Sequence, residues 1–258
     1  MDAGRMAGLI PHRLAQFIAG ALLAVTAVHL AADGRPADFE ATFELVRNDK
    51  LAGESTATFN GAGAHWSLSS KSEGTRGLAR FLGLEEHTVS EGTWLDGAPR
   101  PDRYDQSVKV AVKTVETRAR FDWDAGTVVS THKDGEDTLP LTAGTLDPGT
   151  IALRIRTGLI AGEREWTLDV VDEDKIESQR FVAHAPERLD TALGCIETVR
   201  VDRDRGPEST RYTRTWYATA HGFAPVRATH GKKDGDHIET RITQLKVAGQ
   251  SVAAGAAC

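Results

Sequence analysis

The sequence predicts a mainly β fold: an antiparallel, strongly curved sheet or a partly open barrel, with one short helix at about residues 147–160. Short segments in which apolar and polar residues alternate recur along the chain, and turns rich in Gly, Pro, Asn and Asp separate them. The C-terminal part, from residue 210 to residue 245, contains three such segments in succession. Only one stretch has a convincing helical period, so strands dominate the prediction.

The C-terminal segments are predicted to form a three-stranded antiparallel meander. The length of the loop at residues 233–235 decides which residues of its second hairpin face each other. A three-residue loop pairs His230 with Ile238 and matches residues across each face, whereas a two-residue loop sets apolar residues against polar ones. We therefore predict the three-residue loop, with Gly235 in the left-handed conformation that glycine adopts at low cost.

The opening strand and the helix have simple patterns. Apolar residues alternate with polar ones from residue 39 to residue 45, which indicates a half-buried strand. Asp147 is a favourable N-cap, and Pro148 suits the first helical position. Apolar residues at 151, 155 and 159 then form a stripe on one helix face. Such a helix is expected to plug a barrel mouth or to pack on one face of a curved sheet.

Residues 1–32 have the pattern of a secretory signal peptide. Arg5 and Arg13 accompany an apolar run from residue 14 to residue 28, and Ala31 and Ala32 suit cleavage before residue 33. The alternative is an uncleaved N-terminal anchor. We expect export to the periplasm and a mature form that does not span the membrane, because no other apolar run approaches the length of a membrane span.

The rest of the chain is expected to form a single β-rich domain at residues 33–250, followed by a flexible C-terminal tail at residues 251–258. The sequence of 258 residues has 31 basic and 37 acidic side chains, which gives a formal net charge of −6. An acidic chain without a basic stripe is not expected to bind nucleic acid.

Three parts of the chain carry a family resemblance. They are the opening strand with its return through Gly53-Glu54, the helical segment from Asp147 to Arg156, and the hairpin that joins residues 214–217 to residues 223–227. Together they resemble bacterial envelope proteins grouped as domain-of-unknown-function family 3108. The resemblance implies an exported, mostly β protein without an established activity. It also implies a curved sheet loosely similar to that of periplasmic lipoprotein carriers, which hold acyl chains in a half-open barrel.

The sequence contains no recognisable motif for catalysis or metal binding. The histidines lack the spacing of a shared metal site, the serines do not lie on a Gly-x-Ser-x-Gly elbow, and no glycine-rich phosphate loop occurs. We therefore predict a protein that is not an enzyme and that has no cofactor, metal or catalytic residue.

The aromatic residues are the remaining candidates for a binding site. They have two interpretations, core packing or the lining of a cavity that accepts an apolar ligand. The candidate ligand-binding set, which also includes one acidic residue, is Trp66, Trp94, Tyr104, Trp123, Trp216, Phe223 and Glu197.

Glu197 belongs to this set because of its position in a predicted strand. Period-2 alternation places it on one face with the apolar residues Leu193, Val199 and Val201. It either lies in a wet cavity or pairs with an arginine of a neighbouring strand. Alternatively, the strand lies at a sheet edge and Glu197 is solvated.

The segment at residues 76–84 is apolar, bounded by glycines and without a strand period. We predict that it forms a mobile lip of the cavity, through Leu78, Phe81 and Leu82.

These observations predict a non-catalytic periplasmic protein that binds or carries an apolar ligand, a lipid or acyl chain, in envelope biogenesis. The alternative is a structural or interaction module that docks to an envelope protein complex through exposed sheet edges. A hydrolase is the third possibility. The expected partner is thus an apolar small molecule, a lipid or an envelope protein.

The two cysteines, Cys195 and Cys258, leave two arrangements open. Gly194 would leave room for the small residues of the tail to approach, and an oxidising compartment would then favour a disulfide. Against this, Cys195 is predicted to share an inward face with Leu193 and Val199, where a surface tail cannot reach it. We therefore expect a free, buried Cys195.

Overall fold

The computed structural model describes residues 34–61 and 63–258. The predicted signal peptide at residues 1–32 lies outside the described residues. The described chain contains fifteen strands and two α-helices, with bounds as follows: β1 Phe39–Arg47, β2 Lys50–Asn60, β3 His65–Gly74, α1 Gly77–Phe81, β4 Glu85–Leu95, β5 Ala98–Val110, β6 Lys113–Asp122, β7 Thr127–His132, β8 Gly135–Pro140, α2 Thr150–Ile160, β9 Glu165–Asp172, β10 Lys175–Thr191, β11 Gly194–Asp204, β12 Arg211–Ala218, β13 Ala224–Lys232, β14 His237–Val247 and β15 Gln250–Ser251.

All strand pairs are antiparallel and belong to one sheet, which confirms the predicted fold class. The strand order is β8-β7-β6-β5-β4-β3-β2-β1-β14-β13-β12-β11-β10-β9, and β15 pairs with β14. Two meanders, β1–β8 and β9–β14, are therefore joined by the pairing of β1 with β14. In that pairing Phe39 faces Val247 and Phe43 faces Ile242.

The sheet curves until its two meanders touch. Tyr104, Ala119 and Val128, from β5, β6 and β7, pack in one buried cluster with Val171 of β9. Before α2, Leu146 forms a parallel bridge with Val170 of β9, so the connection that leaves β8 is attached to the opposite end of the sheet. This closure makes the sheet barrel-like.

Helix α2 lies between the two meanders and contributes to two cores. Ile155 and Leu159 are buried with residues of β9–β12, and Leu153 is buried with residues of β1–β3 and β11–β14. The predicted apolar stripe is thus confirmed. The helix begins at Thr150, two residues after the predicted first helical residue Pro148, and Gly149 rather than Asp147 is its N-cap. The reason is that the carboxylate of Asp147 accepts hydrogen bonds from the backbone N–H groups of Gly149 and Thr150 and forms a turn before the helix.

The segment at residues 76–84 forms the second short helix, α1, where only one helix was predicted. Backbone hydrogen bonds join it to the strands: Gly74 N–H donates to Leu84 O (2.8 Å), and Arg76 N–H donates to Ala52 O (3.1 Å). Helix α1 contains no buried residue, so its sequence lacks the apolar stripe by which a helix is recognised.

The hairpin between β13 and β14 has the predicted register but not the predicted glycine conformation. His230 faces Ile238, and Lys232 N–H donates to Asp236 O (3.1 Å), which leaves a three-residue loop at 233–235. Gly235 does not have a positive φ, so the predicted left-handed conformation is wrong.

The C-terminal tail, predicted to be flexible, is held against the sheet. Cys195 N–H donates to Ala256 O (2.7 Å), and Gly255 N–H donates to Leu193 O (2.9 Å). Cys195 and Cys258 form a disulfide, with a Cα–Cα distance of 4.7 Å. The expectation of a free Cys195 is therefore wrong.

The physical reason is a change of buried face along β11. Ile196 and Thr198 are buried in its first half, whereas Val199 and Val201 are buried in its second half. Cys195 therefore lies on the face opposite Ile196, where the tail can reach it.

Among the described residues, no helix is long and apolar enough to cross a membrane.

Candidate functional site

An apolar crevice of about 220 Å³ lies between α2 and the strands β1–β4. Its walls are apolar or carry small hydroxyl groups, apart from one arginine. The lining residues are Phe39, Ala57, Phe59, Leu68, Ser69, Ser70, Thr88, Ser90, Gly149, Ala152, Leu153, Arg156 and Pro225.

Aromatic rings form and support the wall opposite the helix. Phe39 and Phe59 stack with their ring centroids 6.2 Å apart. Trp94 contacts Phe59 edge-on at 6.4 Å, and Trp66 lies 6.5 Å from Trp94. Aromatic pairs in these geometries stabilise one another beyond the area that they bury, so this wall is pre-formed.

Arg156 of α2 brings a positive charge to this apolar crevice. The residue is only 2 % exposed. Its guanidinium Cζ lies 4.8 Å from the ring centroid of Phe39 and 5.1 Å from that of Phe59, as in cation–π pairs. Its Nη2 donates to the backbone oxygens of Ala37 (2.9 Å) and Gly222 (3.0 Å), and its Nε donates to that of Phe223 (3.1 Å).

The Nη1 atom of Arg156 is buried and has no hydrogen-bond partner among the described residues. No carboxylate in the described part of the chain forms an ion pair with this arginine either. Burial lowers the pKa of the Arg156 guanidinium to about 9, against smaller opposing effects of Tyr217 and Asp38. A buried charge without a counter-ion is strongly unfavourable. The guanidinium therefore has one donor without a partner among the described residues and a positive charge that no ion pair neutralises.

A buried carboxylate fixes the start of α2 beside the crevice. Asp147 is fully buried and accepts hydrogen bonds from Ser90 Oγ (2.7 Å) and Thr150 Oγ1 (2.6 Å), besides the two backbone groups described above. Ser90 belongs to β4 and lines the crevice. The helix that presents Arg156 is thus tied to the strand that forms the opposite wall.

A family model described as a protein of unknown function, DUF3108, matches residues 38–243. The chain belongs to the DUF3108 family. No curated protein matches it.

Two solved structures resemble the DUF3108 chain. A β-barrel-like protein of domain family DUF1849 from Brucella abortus has a TM-score of 0.55 and 13% identity, over 83% of this chain and 98% of that chain. A candidate lipoprotein from Parabacteroides distasonis has a TM-score of 0.36 and 10% identity, over 83% of this chain and 98% of that chain. The similarity to the first structure supports the barrel-like fold.

The seven residues predicted from the sequence to bind a ligand are spread over the DUF3108 fold, and none of them lines the crevice. Trp66 and Trp94 support its aromatic wall. Tyr104 is buried where the two meanders meet. Trp123 stacks on Phe121 beside the β6–β7 turn.

The other three predicted residues lie toward the C-terminal half of the sheet. Trp216 is buried and donates from Nε1 to Glu187 Oε1 (2.7 Å). Phe223 is partly buried and contributes its backbone oxygen to Arg156. Glu197 is exposed, accepts a hydrogen bond from Thr219 Oγ1 (3.2 Å) and lines a wider groove of about 730 Å³ beneath the C-terminal tail.

The predicted lip residues, Leu78, Phe81 and Leu82, do not line the crevice either. Leu78 and Phe81 are exposed on α1. Among the described residues, no group of three or more His, Cys, Asp or Glu side chains is arranged to hold a metal ion.

Arg156, which lines the crevice, was not among the residues predicted from the sequence. The sequence did contain a signal, because Arg156 follows Ile155 directly and lies three residues after Leu153, both of which are apolar positions of the helix. A charge so close to two buried helix positions is a candidate for a buried functional group.

Proposed function

We propose that this DUF3108 protein is a non-catalytic binding protein or carrier for an amphiphile with an acidic head group. The acyl chain would occupy the crevice between α2 and β1–β4, and the acid would pair with Arg156. The single observation that carries the proposal is the buried, unpartnered Nη1 of Arg156, a residue that lines a crevice whose other lining residues are apolar or carry small hydroxyl groups.

The size of the crevice limits the ligand. Sites for drug-sized molecules have volumes of about 300–1,000 Å³, and this crevice has about 220 Å³. It fits a medium-length acyl chain, or the end of a longer chain whose remainder lies outside.

We further propose that the protein acts in the periplasm, in the biogenesis of the envelope. The signal-peptide pattern of residues 1–32 supports export. The Cys195–Cys258 disulfide also supports it, because such bonds persist in oxidising compartments.

The alternative function, docking through sheet edges, has less support. The edge of β9 is bridged by Leu146, and the edge strand β8 carries Glu136 and Asp137. Charged side chains on an edge strand oppose pairing with another strand.

The test compares three ligands that share one chain and differ in the head group. Decanoate, decanol and decylamine each displace a fluorescent fatty-acid probe from the protein at neutral pH. We expect decanoate to bind at least about tenfold more tightly than decanol, because hydrogen bonds to charged groups contribute about 1.5–3 kcal/mol. Decylamine should bind most weakly. Equal binding of all three, or no binding, would contradict the proposal.

Two matched variants of β2 locate the site. Ala57→Leu fills the crevice and should weaken all three ligands. Thr56→Leu adds a similar side chain at an exposed position on the opposite face of the strand and should change none. Arg156→Met should abolish the preference for the acid over the alcohol. This preference is the ratio of the decanoate and decanol affinities measured on the same variant. A general loss of folded protein would lower both affinities and leave their ratio unchanged.

A further inference from the structure

Four of the seven large apolar side chains that are exposed in the described part of the chain lie together at one end of the sheet. Leu78 and Phe81, on α1, are 66% and 85% exposed. Val112, in the β5–β6 turn, is fully exposed, and Val110 lies beside it. We name these four residues the apolar tip.

The apolar tip is one surface, because a hydrogen bond joins its two segments. Ala111 N–H, in the β5–β6 turn, donates to Leu82 O at the end of α1 (2.5 Å). Helix α1 is itself bonded to the ends of β2 and β3, as described above. The backbone therefore holds Leu78, Phe81 and Val112 in water, although burying such side chains is favourable.

Basic residues surround the tip. Arg76 and Arg80 flank the apolar residues of α1, and Lys109 and Lys113 flank those of the turn. Lys109 forms an ion pair with Glu85 (3.2 Å). The other three cations form no ion pair with a carboxylate of the described residues. The same strand ends also carry Lys71 and the carboxylates of Glu73, Glu85 and Glu86. Five cations and three carboxylates leave a local excess of positive charge, in contrast with the net charge of −6 of the whole chain.

We propose that the apolar tip docks this protein onto a membrane surface rich in anionic lipid. Apolar side chains with basic neighbours are the combination by which proteins lie in a bilayer interface: the apolar groups enter the acyl boundary and the cations approach the lipid phosphates. A second copy of the tip is a poor partner, because the cations of two tips would repel each other. A stable protein interface needs about 1,000 Å² of buried surface or more, which favours a small tip inserting into lipid instead.

This inference does not rest on the ligand crevice. If the protein docks onto vesicles but does not bind decanoate, the membrane-docking proposal stands and the proposed function fails. If it binds decanoate but does not dock onto vesicles, the membrane-docking proposal fails and the proposed function stands.

Co-sedimentation with vesicles tests the proposal. One vesicle population contains phosphatidylglycerol and phosphatidylethanolamine, and the other contains phosphatidylcholine alone. We expect the protein to bind the anionic vesicles, to bind the neutral ones at least about tenfold more weakly, and to dissociate as salt rises because salt screens the charges. The triple variant Leu78→Ser, Phe81→Ser, Val112→Ser should lose at least about tenfold in binding. Leu95→Ser, a change at an exposed leucine at the end of β4, should behave as the wild type.

A second variant set separates charge from apolar contact. The second variant combines three substitutions, Arg76→Gln, Arg80→Gln and Lys113→Gln. It should lose both the preference for anionic vesicles and the salt dependence of binding. Its unfolding temperature should be unchanged, because all three side chains are exposed. Wild-type protein that binds neither vesicle, binds both equally, or binds as well after the triple serine change would overturn the proposal. Self-association that Phe81→Ser abolishes, without vesicle binding, would instead assign the tip to a second copy and would also overturn it.

Discussion

The hydroxyl of Ser90 donates a 2.7 Å hydrogen bond to the buried carboxylate of Asp147. Ser90 belongs to β4, in the middle of the first meander, and Asp147 precedes α2, which leads into the second. This one contact therefore fixes the helix relative to a wall of the crevice. It also means that the site depends on a carboxylate that no ligand is expected to touch.

Replacing Asp147 tests this role. Asp147→Ala leaves the donors of Ser90, Gly149 and Thr150 without their acceptor in a buried place. We expect the free energy of unfolding to fall by about 2–4 kcal/mol, because buried donors lose their acceptor. Asp147→Asn keeps one oxygen acceptor and should lose less. Urea denaturation measures both, with the exposed Asp124→Ala as the control, and a loss for Asp147→Ala no larger than that of the control would contradict the role.

The same carboxylate predicts a pH dependence. Burial raises the pKa of Asp147 above its ordinary value, against the opposing effect of its hydrogen bonds. The folded state therefore holds a proton in a pH range where the unfolded state has lost it. The stability contributed by this group should fall as pH rises from about 4 through the folded pKa, and should then be constant. The free energy of unfolding is measured against pH in the acidic range for the wild type and for Asp147→Asn. The fall in stability should occur in the wild type alone, and parallel curves for the two proteins would contradict this prediction.

The C-terminal tail approaches β11 so closely that a Cβ on Gly194 would lie 2.6 Å from the carbonyl carbon of Gly255. The disulfide that follows closes a loop with a sequence separation of 63. Replacing Cys195 and Cys258 by Ser should lower the free energy of unfolding by up to about 4 kcal/mol in the chain-entropy model. Thiol titration without reductant should find no reactive thiol in the native or the unfolded wild-type protein. A thiol that appears on unfolding would show that the bond is absent.

Two turn glycines differ in conformation and should differ in tolerance to substitution. Gly126 has a φ of +69°, whereas Gly235 does not have a positive φ. Gly126→Ala forces alanine into the left-handed region and should cost about 1 kcal/mol or more. Gly235→Ala brings a Cβ to 3.3 Å from Lys232 Cβ, a tight contact, but it needs no left-handed backbone and should therefore cost less. Thermal unfolding of the two variants measures the difference, and equal losses would contradict this interpretation.

The sequence predicted those parts of the fold that depend on neighbouring residues. The alternation of residues 39–45, the stripe of α2 and the register at His230 and Ile238 are local patterns, and the structure confirms each. The pairing of β1 with β14 and the contact of Val171 with β5–β7 join residues far apart in the chain, so no local pattern contains them.

One error arose where the strand β11 contributes to two cores. Period-2 alternation was extended through β11, but the buried face changes between Thr198 and Val199. Cys195 and Glu197 were therefore placed on the wrong face, and the disulfide was not expected. Arg156 was not predicted to line a crevice, because its burial depends on the backbone oxygens of Ala37 and Gly222, which lie far apart in the sequence.

The most direct test of the central claim, that Arg156 holds the acid group of an amphiphile, is the pKa of the bound ligand. Decanoate labelled with ¹³C at its carboxyl carbon is titrated in complex with the protein and followed by NMR. Pairing with the buried guanidinium should lower the pKa of the bound carboxyl well below that of free decanoate, because a nearby opposite charge favours the ionised form. A pKa at or above the free value would place the carboxyl group away from Arg156 and contradict the account.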